Sequence, residues 1–281
     1  MTNDRIGIWF IGAQGGVGTT AAVGLACLQH GLTRETGLVS AAPRFSQLNL
    51  AAWHQFVVGG HEIRQTSYSA AADLLHDKSR VFEAAHLKTI APTLTAWDKN
   101  VRPGTLVNVG PTIEALSDTE ARDTIGESPA NAIARICDDL SEFREQHQLD
   151  RVIVVNVAST EPPLEHAAQQ ADWATLSKLL DTEDTSPFPA SSIYAIAAIK
   201  SGCAHVNFTP SVGTDLPALN EFALQAGALH VGRDGKTGET LLKSVLAPMF
   251  ARRNPEVMRW VGHNIFGNMD GQVPDDPANK P

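Results

Sequence analysis

The chain has little that would let it work through thiols, metals, membranes or polyanions. Of its 281 residues only three are cysteines, Cys27, Cys137 and Cys203, far apart and with no CxxC pair. That spacing gives no disulfide framework and no metal-ligand pattern, so it reads as reduced, buried thiols in a cytosolic protein, and no metal site is expected. Basic residues are also short: 22 Lys and Arg stand against 31 Asp and Glu, a formal charge of -9. The balance disfavours a general nucleic-acid or anionic-membrane surface, and leaves room for a phosphorylated ligand only where cations gather locally. No apolar run is long enough to span a membrane. The N-terminus enters a strand without a basic n-region and cleavage site. There is no internal repeat and no low-complexity tract. What remains is a chain long enough to bury a sizeable core, with an ordinary 43% of hydrophobic residues.

The stretch that organises the rest is Ile6 to Thr20, IGIWFIGAQGGVGTT. Ile6, Ile8, Trp9, Phe10 and Ile11 make a buried strand. The run breaks at Gly12; Gly15, Gly16 and Gly18 follow, and Thr19 and Thr20 open an Ala-rich helix closed by Gly31. A strand, a glycine turn and a helix N-terminus, in that order, suit a phosphate or pyrophosphate. One lack is telling here. GGVGTT resembles the phosphate loop of an ATPase, yet Thr19 stands where the phosphate-reaching lysine belongs, which counts against ATP. The spacing Gly12-x-x-Gly15-Gly16-x-Gly18 is a loose dinucleotide fingerprint rather than a strict G-x-G-x-x-G. The loop alone leaves three readings open: a dinucleotide, a βα turn with no ligand, and ATP.

Downstream, Thr36–Ala41 reads as a second strand, but no acid stands at its end to hold an adenosine ribose. Glu62, in GGHEIR, is the next candidate, and on spacing alone it reads as a solvated loop acid. Residues 70–91 read as a helix broken or kinked by Pro92, and 105–109 as a short strand. Pro129–Gln148 is a helix with Ser128 as N-cap. Val152–Val157 is a β-branched strand of the kind parallel sheets bury, and its loop, Ala158, Ser159, Thr160 and Glu161, lies where open sheets bind ligands. Helices follow at 171–181, 191–201 and 216–226, with a polar linker at 182–189 and strands at 204–208 and 228–231. Thr237 reads as the cap of a helix running toward Arg252, kinked at Pro248, with Leu241, Val245, Leu246 and Met249 as its apolar face. A strand is expected over 256–266. The alternation predicts an α/β fold with a doubly wound parallel sheet.

Taken together, GAQGGVGTT, GGHEIR, VNVASTEP, NFTPS, DGKTGETLLKSVLAPMF and HNIFGNMDG resemble the inositol phosphate synthase family, over nearly the whole chain. The resemblance implies a cytosolic, NAD-dependent isomerase acting in inositol and phospholipid biosynthesis. It implies a Rossmann-like domain at 1–235 and, over 236–281, the beginning of an α+β domain that carries catalytic groups and builds homotetramers. The family converts glucose 6-phosphate to inositol phosphate by oxidation at C5, enolisation, aldol closure and reduction. Carried over, Gly12, Ala13, Gly15, Gly16 and Val17 would hold the pyrophosphate of NAD, and Glu62 would supply the missing ribose acid. Val157, Ala158, Ser159, Thr160, Thr209 and Pro210 would line the cofactor. Asp234, Thr237, Asn268 and Asp270 would face the nicotinamide and the sugar, with Lys236, Lys243 and Asp270 as catalytic groups; helix-end solvation is the competing role for the two lysines. One departure stands out: the sequence stops at Pro281, before the lysines that follow GN-x-DG in this family. A fragment of a longer protein is expected over a natural half-protein, with a non-catalytic NAD-binding module or inactive fragment as the alternative function.

Overall fold

A computed structural model describes residues 4–164, 172–181, 188–235 and 238–261. Six strands form one sheet: β1 (Ile6–Ile11), β2 (Phe56–Glu62), β3 (Val101–Pro103), β4 (Arg151–Asn156), β5 (Ala204–Asn207) and β6 (His230–Val231). All pair in parallel, in the order β3-β2-β1-β4-β5-β6. The order reverses between β1 and β4, so a crevice opens at their carboxyl ends. β1 lies between β2 and β4, with Ile11 opposite His61 on one side and Asn156 on the other.

Helices cover both faces, as parallel strands require. On one face, α1 (Gly16–Gln29), α2 (Tyr68–Ser79) and α3 (Ala84–Asp98) bury Phe10, Ala22, Ala26, Val58, Ile90 and Leu94. On the other lie α4 (Pro111–Ala115), α5 (Thr119–Arg122), α6 (Pro129–His147), α7 (Trp173–Leu176), α8 (Ala190–Lys200) and α9 (Pro217–Ala226), around Trp9, Ile11, Ile136, Leu140, Phe143 and Ile196. The alternation of Trp9 and Ile11 against Phe10 is the two-residue period of a strand buried on both sides. The helix ends are locally encoded. The Ser128 hydroxyl accepts the Asn131 amide, Pro129 occupies the first turn, and Gln148 closes α6 in the left-handed region. Gly227 closes α9 in the same way.

Four expectations are corrected. Residues 36–41 do not form a strand: Val39–Ala41 is a 3₁₀ turn, Leu38 and Val39 are exposed, and Phe56–Glu62 pairs with β1 instead. A central strand needs two buried faces, and only Phe56, Val57 and Val58 supply them. Residues 105–109 are irregular, because their amides go to side chains and not to a neighbouring strand. The Thr105 amide donates to the Tyr194 hydroxyl, Leu106 to Thr124 Oγ1 and Val107 to Thr105 Oγ1; the third strand is Val101–Pro103. The helical run at 70–91 breaks at Arg80, which is left-handed at φ 52°, and not at Pro92. Pro92 sits inside α3, on an exposed face where water can reach the carbonyl left without its amide. Residues 254–261 carry no strand; the rest of the expected 256–266 strand lies outside the described residues, as does 182–187 of the polar linker. The last helix, α10 (Gly238–Arg253), forms as expected with Pro248 inside it, but Leu241, Val245 and Met249 are exposed.

Candidate functional site

A cavity of about 190 Å³ opens at the carboxyl ends of β1, β2 and β4, where the strand order reverses. The loop after β1 forms one wall. Gly12 is left-handed at φ 79°, and a Cβ there would come within 2.9 Å of the Ala158 Cα. Only glycine lets the loop after β1 and the loop after β4 approach this closely. The Gly12 and Ala13 amides both donate to the His61 carbonyl at 3.0 Å, which fastens the turn to β2. Gly18 packs still tighter: its Cβ would lie 2.4 Å from the Ala13 carbonyl oxygen.

The turn delivers the N-terminus of α1 to the cavity. Gly15 is the N-cap and makes no side-chain hydrogen bond, and the first turn holds no acid. The first-turn amides of Gly16 and Val17, both in the cavity wall, therefore have no acceptor from a capping side chain. A 14-residue helix left open this way presents amides and a positive dipole end to an anion.

Glu62 ends β2, the strand beside β1, and is 7% exposed. Its place is the one a dinucleotide fold gives to its ribose acid. The strand was hard to find because Gly59 and Gly60 interrupt its apolar run. Glu62 also binds the glycine loop directly: Oε2 accepts the Gln14 amide at 2.9 Å, and Oε1 accepts the Ile63 amide at 3.0 Å. The Arg64 guanidinium reaches both carboxylate oxygens and the Gln14 carbonyl.

Across the cavity, β4 and β5 end in a polar network. Asn156 Nδ2 donates to Asn207 Oδ1 and Thr209 Oγ1, and Asn156 Oδ1 accepts the Ala158 amide. The Thr209 hydroxyl donates to Asn207 Oδ1 at 2.8 Å and its oxygen accepts the Ser211 amide. Gly12, Gly15, Gly16, Val17, Glu62, Val157, Ala158 and Ser159 thus meet around one cavity. Ala13 is buried behind it, Thr209 shapes the turn after β5, and the Pro210 carbonyl accepts from Arg233, none of them in the cavity wall. Thr160 and Asp234 also lie outside the wall, Asp234 in a left-handed turn. Lys243 sits on α10 with Nζ 5.9 Å from the Trp260 ring. Lys236, Thr237, Asn268 and Asp270 lie outside the described residues.

Several wall residues had no sequence signal of their own. His61 lies beneath the cavity as a neutral ring: the Trp9 indole donates to Nδ1 at 2.8 Å, which leaves Nε2 to donate to Asp139 at 3.0 Å. Burial lowers its pKa, against the pull of Asp139. Arg64, Glu161, Ser191, Tyr194 and Ser211 also line the wall. Glu161 belongs to the candidate loop after β4, and Arg64 could have been flagged as a charged residue just past a strand end; Ser191 and Tyr194 arrive from a helix more than a hundred residues from the glycine turn, and only the fold brings them there.

Comparison with known proteins decides the family. A sequence model of the NAD-binding part of myo-inositol-1-phosphate synthase matches residues 6–252, and a second model of the same enzyme matches 238–281. The chain belongs to the myo-inositol-1-phosphate synthase family. It is 30% identical to inositol-3-phosphate synthase 1 of Bacteroides thetaiotaomicron, over 98% of this chain and 64% of that protein. The fold matches the inositol-3-phosphate synthase of Caenorhabditis elegans at a TM-score of 0.73 and 18% identity, over 89% of this chain and 53% of that one. It matches a myo-inositol-1-phosphate synthase-related protein from Thermotoga maritima at a TM-score of 0.62 and 19% identity, over 89% and 60%. The chain thus spans between half and two thirds of these relatives. NAD is the cofactor that the matched synthase model carries, and the open α1 terminus, the close Gly12 approach and the acid at the end of β2 fit a dinucleotide laid across the crevice. Among the described residues no helix is long and apolar enough to cross a membrane.

Proposed function

We propose that this chain binds NAD at the glycine turn and takes part in the isomerisation of glucose 6-phosphate to inositol phosphate. The observation that supports it most is the uncapped N-terminus of α1 facing a cavity at the point of strand reversal. In this reading the amides of Gly16 and Val17 hold the pyrophosphate. Glu62 faces the adenosine ribose while holding the turn in shape through Gln14. Val157, Ala158, Ser159 and Thr160 line the second half of the cofactor, with Thr209 and Pro210 behind them. NAD held by these residues would supply reversible hydride acceptance, which keeps the overall reaction redox-neutral. Lys236, Lys243 and Asp270 are proposed to face the sugar phosphate, with Asp234, Thr237 and Asn268 between it and the cofactor. Fixed cations there would offset the negative oxygen charge of enolisation and ring closure.

The finer parts of the reading follow the family: a cytoplasmic homotetramer serving inositol and phospholipid synthesis, with the catalytic and tetramer-forming domain beginning near residue 236. The test is calorimetric titration of glucose 6-phosphate into the protein with and without saturating NAD. Sugar-phosphate binding that strengthens when NAD is present is expected. Binding indifferent to NAD would overturn the reading.

A further inference from the structure

One acid in the cavity wall is left with an unused oxygen. Glu161 follows β4 in the loop opposite the glycine turn and is 9% exposed. Its position is fixed from two sides. Its amide donates to Ser211 Oγ at 3.1 Å, and its Oε1 accepts the Ser191 amide at 2.7 Å, in the first turn of α8. The Ser191 hydroxyl in turn accepts the Gly213 amide, so the loops after β4 and β5 and the start of α8 hold one another. Oε2 is shielded from solvent and makes no hydrogen bond among the described residues. A buried carboxyl oxygen without a partner is costly unless something else occupies it. Capping α8 needs only one oxygen, so it does not explain the second.

We propose that Glu161 is a ligand-contacting residue whose Oε2 pairs with a sugar hydroxyl on the β4–β5 side of the cavity. The inference rests on the reading of the cavity as a dinucleotide and sugar-phosphate site. The crevice runs from Glu62 on β2, past the glycine turn, to Glu161 beyond β4, so the two acids stand on opposite sides of the turn. If Glu62 serves the adenosine end, Glu161 serves the other, where either the second ribose of the cofactor or the sugar phosphate brings hydroxyls. A hydroxyl can both donate and accept, so it satisfies Oε2 whether or not the carboxyl is protonated. Burial pushes this carboxyl up to about 7, outweighing the Ser191 contact, as expected of a group with half its hydrogen-bonding capacity unfilled.

The experiment titrates the parent, Glu161→Gln and Glu161→Leu with NAD, ADP-ribose and ADP, and then titrates the NAD-loaded proteins with glucose 6-phosphate. Gln keeps an acceptor for Ser191 and a polar group toward the hydroxyl; Leu keeps neither. Should the partner be the cofactor's second ribose, Leu weakens NAD and ADP-ribose by roughly tenfold, the worth of one hydrogen bond, and leaves ADP unchanged. Should it be the substrate, NAD is unchanged and glucose 6-phosphate weakens by a similar factor. In either case Gln retains most of the affinity. Equal weakening of ADP and ADP-ribose would reduce Glu161 to a cap on α8 and overturn the proposal, as would unchanged affinity for every ligand. A parent protein that binds none of them would remove the dinucleotide reading itself, and this inference with it.

Discussion

Replacing Glu62 by glutamine tests whether the acid at the end of β2 holds the glycine turn as well as serving a ligand. The carboxylate accepts three backbone amides with its two oxygens, Gln14 through Oε2 and Ile63 and Arg64 through Oε1. Glutamine offers one oxygen and one NH₂. Whichever way it turns, at least one buried amide faces another donor. Leaving one such donor unsatisfied costs about 1–3 kcal/mol. Arg64 also loses its charged partner, but its side chain is 29% exposed and rehydrates, so that loss adds little. For a chain of this size, each kcal/mol lowers the melting temperature by about 2–4 °C, so Glu62→Gln should melt roughly 2–12 °C below the parent. Differential scanning calorimetry without ligand reads this directly, and titration of NAD into the same variant should show weaker binding. An unchanged melting temperature alongside weakened NAD binding would refute the tie and leave only the ribose role.

Two further perturbations follow from the same geometry. Gly18→Ala places a methyl 2.4 Å from the Ala13 carbonyl oxygen and 2.6 Å from that of Gly12. Both are backbone, so the turn must move; about 1–3 kcal/mol of strain is expected, with a loss of NAD affinity measured by titration, and an unchanged dissociation constant would show that the turn's shape does not matter to binding. His205 is buried with both ring nitrogens unpartnered among the described residues, and burial lowers its pKa to about 4, with His230 adding to the shift. The unfolded chain, with an ordinary histidine near 6.5, binds more protons between those values, so stability is lost as pH falls from about 6.5 to about 4. His205→Leu should flatten the urea midpoint across that window, and an unaltered pH slope would show that other groups carry the acid sensitivity.

How much of this could be seen in the chain itself varied with the kind of interaction. The glycine turn, the β-branched strand at β4, and the capped helix behind Ser128 are local patterns, and each formed where its residues predicted. The second strand was misplaced because its signal is tertiary. FVVGGHE is a strand because β1 and β3 flank it, while TGLVSA, with a similar apolar look, has no neighbour to bury it. The same misplacement hid the meaning of Glu62. Set against Thr36–Ala41 it was a stray loop acid; in the structure it ends β2, the strand beside β1, which is where the proposed ribose role needs it. Residues 105–109 failed for a related reason: their amides are bonded by Tyr194 and Thr124, partners that no window of sequence contains. Glu161 was visible as a letter in VNVASTEP, yet its unfilled oxygen is a property of the packing of three loops.

Titration of NAD and of ATP into the chain tests the central claim most directly. The account predicts saturable NAD binding, competed by ADP-ribose, because the uncapped α1 terminus and the two walls of the crevice suit a dinucleotide and Thr19 replaces the lysine an ATPase needs. Tight binding of ATP with none of NAD would contradict it.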